Sequence, residues 1–507
     1  MNRKWWALGA LSAAVLAVSL DGTILSVALP TLAGALHASE SDLQWFQSGY
    51  LLVLAAAMLP AGLLGDRFGR RRVMVGSLLM FGLGSIACAY SGSPGAFIAA
   101  RVLLGLAGAG IIVMALSALT VLFTKEERPK AVGVWAAANF VALPIGPILG
   151  GWLLSHYWWG WVFLINVPVV LIGISATLAL IPESRAPERP GLDPVGVLAS
   201  TAGLVAVTYG LIKAGEDGWG SVTAVLLIVA GALVIAAFFG WERVLSRRAG
   251  GQPLVDLSLF RSASYTWGVI LAAVGVLALI GVLFTMPQYF QGVRGTNAMG
   301  SGLRLLPMVG GLIVGAVPAD RAAQLIGAKL SVAIGFTVLG GGLAMGAATT
   351  VGSGAAFIAT WMALVGAGMG LAMATASSAA LVEVPEARSG VAAAMLQALN
   401  KTGGPFGAAV LGSLLSSAYR SRLDLTGLAP PTAQAVKASI FAGVDIAQRQ
   451  GSVRLLDAVR VAFTHGMDIA VTTSAGIALA GALLTLVFLP ARPRAEAPQE
   501  REHVGVG

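Results

Sequence analysis

The chain has 507 residues, 57% of them hydrophobic and only 11% charged, where soluble globular proteins carry about 25% charged residues. That balance excludes an ordinary soluble enzyme, whose surface demands far more charge. A net charge of +9 would suit nucleic acid, but the basic residues sit almost entirely between apolar stretches, where they set membrane orientation instead.

Stretches of about 20 apolar residues, each enough to cross the hydrocarbon core as a helix, predict fourteen spans: 6–32, 43–64, 73–91, 97–123, 131–154, 161–181, 194–213, 221–241, 264–290, 301–319, 330–350, 354–381, 389–418 and 469–490. The expected fold class is an all-α polytopic membrane protein. An even count returns both termini to one side. Arg67, Arg70, Arg71, Arg72, Lys125, Arg128, Lys130, Arg185, Arg189, Arg243, Arg247, Arg248 and Arg261 fall in loops of that side, which the positive-inside rule makes cytoplasmic. The expected location is the cell inner (plasma) membrane.

Arg3-Lys4 and Trp5-Trp6 open an apolar run too long for a secretory signal and without a small-x-small cleavage site, so the first span is expected to be retained. Within it lies Asp21, which by these spans is the one acidic residue away from loops and helix ends. A carboxylate at that depth costs about 2.5–3.5 kcal/mol on insertion scales. It therefore binds a proton or cation, or else makes a helix-packing hydrogen bond. The next loop, Gly62-Leu-Leu-Gly-Asp66-Arg67-Phe-Gly69-Arg70-Arg71, is either a topology anchor or a conformational latch in which Asp66 pairs with a helix end.

In the fourth span, Arg101 either snorkels to the outer end or acts in a cavity. Gly105-x-x-Gly108-x-Gly110 follows no strand and is not read as a nucleotide loop. In the fifth, Gly146-Pro147-Ile-Leu-Gly150-Gly151 bends the helix or lets another approach closely. Trp135 and Asn139 there, and Gln288 and Tyr289 at the end of the ninth span, are candidate cavity-lining residues, with interface packing as the alternative. Lys401, in mid-span thirteen, needs an acid, carbonyls or water, and is a candidate for the transport cavity. The segment 419–468 is expected as a long outer loop carrying a surface helix marked by Val453, Leu456, Val459 and Phe463. The tail from Arg492 has a disordered composition.

Three separated pairs share nearly the same offset: Asp66-Arg67 with Asp320-Arg321, Gly146-Pro147 with Gly404-Pro405, and Pro30 with Pro287. This predicts an N-terminal six-helix bundle over 1–182, two inserted spans with linkers over 183–262, a C-terminal six-helix bundle over 263–490, and a tail over 491–507. No Walker lysine motif, His-Glu-x-x-His or Gly-x-Ser-x-Gly occurs, and Cys88 is the single cysteine. An enzyme, a cofactor and ATP coupling are not expected.

These motifs resemble the major facilitator superfamily, and within it the fourteen-helix drug:proton antiporters of the QacA/EmrB type. Besides the 62–71 loop, the resemblance rests on Asp21-Gly-Thr-Ile-Leu-Ser-Val-Ala-Leu-Pro30, on Arg101 through Gly105, on Gly133, Gly146, Pro147, Gly150 and Gly151 of the antiporter motif, and on Trp161-Val-Phe-Leu-Ile-Asn166-Val-Pro168. Ala142 and Leu104 depart from the pattern, standing where relatives carry glycine and glutamine. The resemblance implies export by alternating access, with Asp21 in coupling or substrate binding, Arg101 in proton transfer and the proton as coupling ion. The expected substrates are small lipophilic drugs or antibiotics, cationic ones included. Dedicated export of a lipid or secondary metabolite, or a non-transporting receptor or scaffold, are the other readings. Membrane lipids are the expected surroundings, no nucleic-acid partner is expected, and a monomer is favoured.

Overall fold

The computed structural model of the chain describes residues 3–124, 127, 131, 142, 145–185, 193–248, 254–255, 257–382, 384 and 389–490. Among them there is no strand. The helices, in chain order, are α1 (Arg3–Leu36), α2 (Glu40–Phe68), α3 (Arg70–Ala89), α4 (Pro94–Leu122), α5 (145–156 of its described part), α6 (Trp161–Leu180), α7 (Pro194–Asp217) and α8 (Val222–Leu245). They continue as α9 (Ala263–Gln288), α10 (Ala298–Ala316), α11 (Ala319–Ile326), α12 (Ala328–Gly346), α13 (Ala355–Val382), α14 (Ser389–Arg422), α15 (Pro430–Ala438), α16 (Ile440–Arg449) and α17 (Val453–Phe488).

The boundaries follow local chemistry. Ser39 and Asp42 form a reciprocal capping box that starts α2 at Glu40. Ser93, Asp193, Ser262, Asn297 and Ser452 cap α4, α7, α9, α10 and α17 by accepting from backbone N–H groups. Pro287 lies just before a π-helical stretch, Tyr289–Val293, that extends α9, and α10 is interrupted at Leu305, ahead of Pro307.

Eleven helices among the described residues are long and apolar enough to cross a membrane, and the bent pair Glu40–Met58 and Pro60–Phe68 makes twelve. The chain is a multi-pass membrane protein. The expected fourteen spans are not reached among the described residues: half of 131–154 lies outside them, and α14, a continuous helix of 34 residues, carries the polar run Asn400-Lys401-Thr402 in its interior.

Two large apolar cores organise the bundle. One is formed by α1–α6, around Phe46, Phe81, Phe97 and Phe163, and the other by α9–α17, around Phe336, Trp361 and Phe463. Helices α7 and α8 pack on each other through Gly203, Gly210 and Gly231, where an added Cβ would meet the opposing helix at 2.6–2.8 Å.

The outer segment 419–468 differs from its expectation. Helix α14 continues to Arg422, α15 and α16 follow, and α17 already begins at Val453 and runs unbroken for 36 residues. The helical periodicity of 453–463 is therefore the first part of the last span rather than a separate surface helix. Val459 and Phe463 are buried in the C-terminal core while Val453 is exposed. Tyr419 ties the segment down by donating to the Val436 carbonyl at 2.9 Å.

Asp21 is not alone as a buried helical acid. Glu40, the first residue of α2, is buried, and so is Glu242 of α8, which accepts from the Val255 N–H at 3.0 Å.

Candidate functional site

Asp21 sits near the middle of α1 and is buried, as is Arg101 of α4. The Arg101 Nη1 donates to Asp21 Oδ2, an ion pair with side chains 1% and 0% exposed. Its Nε donates to the Phe46 carbonyl of α2 at 3.1 Å, and its guanidinium lies over the Tyr50 ring at 4.2 Å. Tyr50 in turn donates to the Val18 carbonyl of α1 at 3.0 Å. Three helices are thus pinned at one polar point in an apolar bundle. Arg101 does not snorkel.

The glycines of α4 make this approach possible. A Cβ on Gly105 would come within 2.5 Å of the Tyr50 carbonyl oxygen, and one on Gly108 within 3.1 Å of Val18. Gly105-x-x-Gly108 is a helix-packing stripe against α2 and α1. Burying an ion pair is favourable only when the remaining polar atoms find partners, and Asp21 Oδ1 has none among the described residues.

Gly146 and Gly150 of α5 lie against Thr23 and Ile24 of α1, while Gly151 faces Met299 and Pro147 faces Gly302, both on α10. The Gly-Pro stretch therefore wedges between the two halves, and it borders a narrow apolar cleft lined by Thr23, Pro147, Leu279, Leu283, Met308 and Leu312.

Contacts between the halves gather toward the end of the bundle opposite the start of α1. There Gln288 Nε2 donates to Glu40 Oε1 at 3.2 Å, Gln291 Nε2 to the Val27 carbonyl at 3.1 Å, and Ser48 Oγ to the Pro405 carbonyl at 3.4 Å. Gln288 is accordingly part of the seam. Tyr289, also buried, donates to the Thr350 carbonyl at 2.8 Å inside the C-terminal half. Lys401 is half-buried on α14 and makes no ion pair or hydrogen bond among the described residues, so it does not join Asp21. Trp135, Asn139 and Gly133 lie outside the described residues.

In the 62–71 loop, Asp66 is gripped by Arg70, through Nε at 3.1 Å and Nη2 at 2.9 Å. Gly65 packs on Met114 and Gly62 on Val113 of α4. Gly69, at φ 113°, leaves the room that the Glu183 carboxylate fills; Glu183 accepts from the Arg71 N–H at 3.2 Å and approaches Arg72 at 3.7 Å. Arg67 lies over the Phe68 ring at 5.7 Å. Nearby, Lys4 donates to both Glu127 oxygens at 2.6 and 2.7 Å, which holds that carboxyl below its ordinary range.

Sequence reasoning missed Glu40. Its signal was Ser39-x-x-Asp42, which places a helix start three residues ahead of the apolar run. Among the described residues no cluster of three or more His, Cys, Asp or Glu side chains could hold a metal ion.

The Major Facilitator Superfamily profile matches residues 11–408. The tetracenomycin C resistance and export protein of Streptomyces glaucescens is 32% identical, over 98% of this chain and 94% of that protein. The multidrug efflux pump LfrA of Mycolicibacterium smegmatis is also 32% identical, over 95% of each chain. Among solved structures, a bacterial homolog of the human lysosomal transporter Spinster superposes with a TM-score of 0.66 at 16% identity, covering 98% of this chain and 100% of that one.

Proposed function

The chain belongs to the major facilitator superfamily, and from that membership we propose that it is a proton-coupled secondary active exporter of small lipophilic compounds, drugs or antibiotics in kind, working by alternating access. The observation that carries the reading is the buried Asp21–Arg101 pair with its one unpartnered carboxylate oxygen. Protonating Asp21 cancels its charge and leaves Arg101 uncompensated, so proton binding changes the helix packing that the pair holds together. The two halves then rock about the cleft at Thr23 and Pro147, and the Glu40–Gln288 seam opens as Asp66, released from Arg70, engages elsewhere.

The driving force is adequate. One proton moving inward through about 100 mV releases roughly 2.3 kcal/mol, and half a pH unit adds about 0.7. Together these sustain about a 150-fold gradient of a neutral substrate. In this reading the protein lies in the inner membrane with both termini cytoplasmic, acts as a monomer among lipids, performs no enzymatic step and uses no cofactor beyond the proton. The units are 1–182, the inserted 183–262 and 263–490. The match to the tetracenomycin C export protein along almost its whole length favours a second reading, a dedicated exporter of one secondary metabolite.

The test is purified protein in vesicles with an imposed pH gradient and a panel of dyes, antibiotics and lipids. Substrate-dependent proton movement is expected; its absence across the panel would point to a receptor or scaffold.

A further inference from the structure

Helix α14 faces both halves of the molecule. Gly403 and Gly407 lie against the backbone of α9 at Ala273 and Leu277, whereas Gly404 meets Leu51 of α2 and the Pro405 carbonyl accepts from Ser48. Residues three and four apart share a helix face, so Lys401 lies on the stripe of Gly404 and Pro405 that looks across to the N-terminal half. It is one turn beyond the point where that seam closes, on the side where α14 begins.

Gln397 extends the same stripe by a further turn and is half-buried. Across the seam, the two buried carboxylates of the N-terminal half are already engaged: Asp21 with Arg101, and Glu40 with the Gln288 amide. Lys401 therefore faces this seam with no acid paired to it among the described residues.

We infer that Lys401, with Gln397 beside it, is an anion-binding subsite, and that the exported compounds are organic acids, carboxylates or phenolates on an aromatic frame, rather than organic cations. The inference rests on the export reading and names the substrate class for it. An ammonium group in an apolar, half-buried setting recognises an acidic oxygen by a charge-assisted hydrogen bond. An organic cation meets like charge at Lys401 and finds Asp21 closed to it by Arg101.

The experiment uses the full chain in vesicles with an imposed pH gradient and two dyes on related frames, anionic fluorescein and cationic tetramethylrhodamine ethyl ester. Transport of fluorescein and not of the rhodamine ester is expected from the parent protein, which needs no variant. In Lys401→Gln the apparent affinity for fluorescein is expected to fall about tenfold or more, as for loss of a charged hydrogen bond, and Lys401→Arg is expected to restore most of it. Transport of the rhodamine ester alone, or an unchanged fluorescein affinity in Lys401→Gln, overturns this inference and leaves the export reading standing. Proton movement with neither dye nor any other compound overturns both.

Discussion

Asp21 and Arg101 stand 80 positions apart and meet as a fully buried ion pair, with Arg101 also bonded to the Phe46 carbonyl and stacked on Tyr50. The proposed coupling and the packing of three helices therefore rest on the same contact, and substitutions can separate them.

Removing one member of a buried pair strands a charge, at about 3–5 kcal/mol, whereas replacing both by apolar side chains is often neutral. Arg101→Met is expected to lower thermal stability in detergent markedly, and the double variant Asp21→Leu/Arg101→Met to recover most of the loss while remaining unable to export. Thermal unfolding of the single and double variants checks this; a double variant no more stable than the single one contradicts it.

Asp21→Asn keeps the shape and removes the carboxylate. Uphill export driven by a pH gradient is expected to be abolished, while downhill movement of substrate persists. If the variant concentrates substrate as well as the parent, Asp21 is not the coupling residue.

Gly105 is occluded by the Tyr50 backbone, whereas Gly76 has nothing within 4 Å of an added Cβ. Gly105→Val is expected to force α4 off α2 and cost about 1–3 kcal/mol or more, in the range of overpacked cores. Gly76→Ala, on the same bundle, is expected to be neutral or slightly stabilising. Melting temperatures of the two variants provide the comparison.

Gln288→Leu leaves the Glu40 carboxylate buried without its donor, which disfavours the closed seam. A cysteine placed at Val27, whose carbonyl takes part in that seam, is expected to react faster with an impermeant maleimide in the Gln288→Leu background. Cys88 is buried and is the chain's single native thiol, so Cys88→Ala gives a clean background. Equal labelling rates with and without Gln288→Leu would remove Gln288 from the seam.

Asp424 accepts from Thr426 and from Arg454 at 2.7 Å, and these bonds hold its carboxyl well below the usual carboxylate range. A depressed folded-state value contributes stability above the unfolded value, near pH 3.9, and loses it as pH falls through the folded one. The Thr426 amide, bonded to Asp424, is thus expected to keep its hydrogen-exchange protection from neutrality down past the ordinary aspartate range. Asp424→Asn is expected to lose part of that protection already at neutral pH.

Much of the arrangement was legible because the bilayer makes charge conspicuous. Asp21, Arg101 and Lys401 stand out in apolar runs, and their depth follows from counting residues. Which of them pair did not follow: Arg101 reaches Asp21 only because Gly105 and Gly108 let α4 close on α2 and α1, a tertiary fact with no local signature. Glu40 was hidden by a hydropathy window that began after it. The start of α17 was hidden by His465 and Asp468, polar residues that a long amphipathic helix buries or exposes by turns.

Helices α7 and α8 carry a consequence for how such a chain changes length. Their anchorage is to α14 and α2: Gly215 lies on Ser413, Ser413 donates to the Leu211 carbonyl at 2.5 Å, Arg420 donates to the Glu216 carbonyl at 2.9 Å, and the Tyr209 ring lies 5.9 Å from that of Trp45. Neither helix contributes a side chain to the Asp21–Arg101 contact. Because two crossings return the polypeptide to the face it left, gaining or shedding such a pair would preserve the orientation of everything downstream. Its loss would be felt at the flanks of α14 and α2, where Trp45 would lose Tyr209, and in the lipid around them.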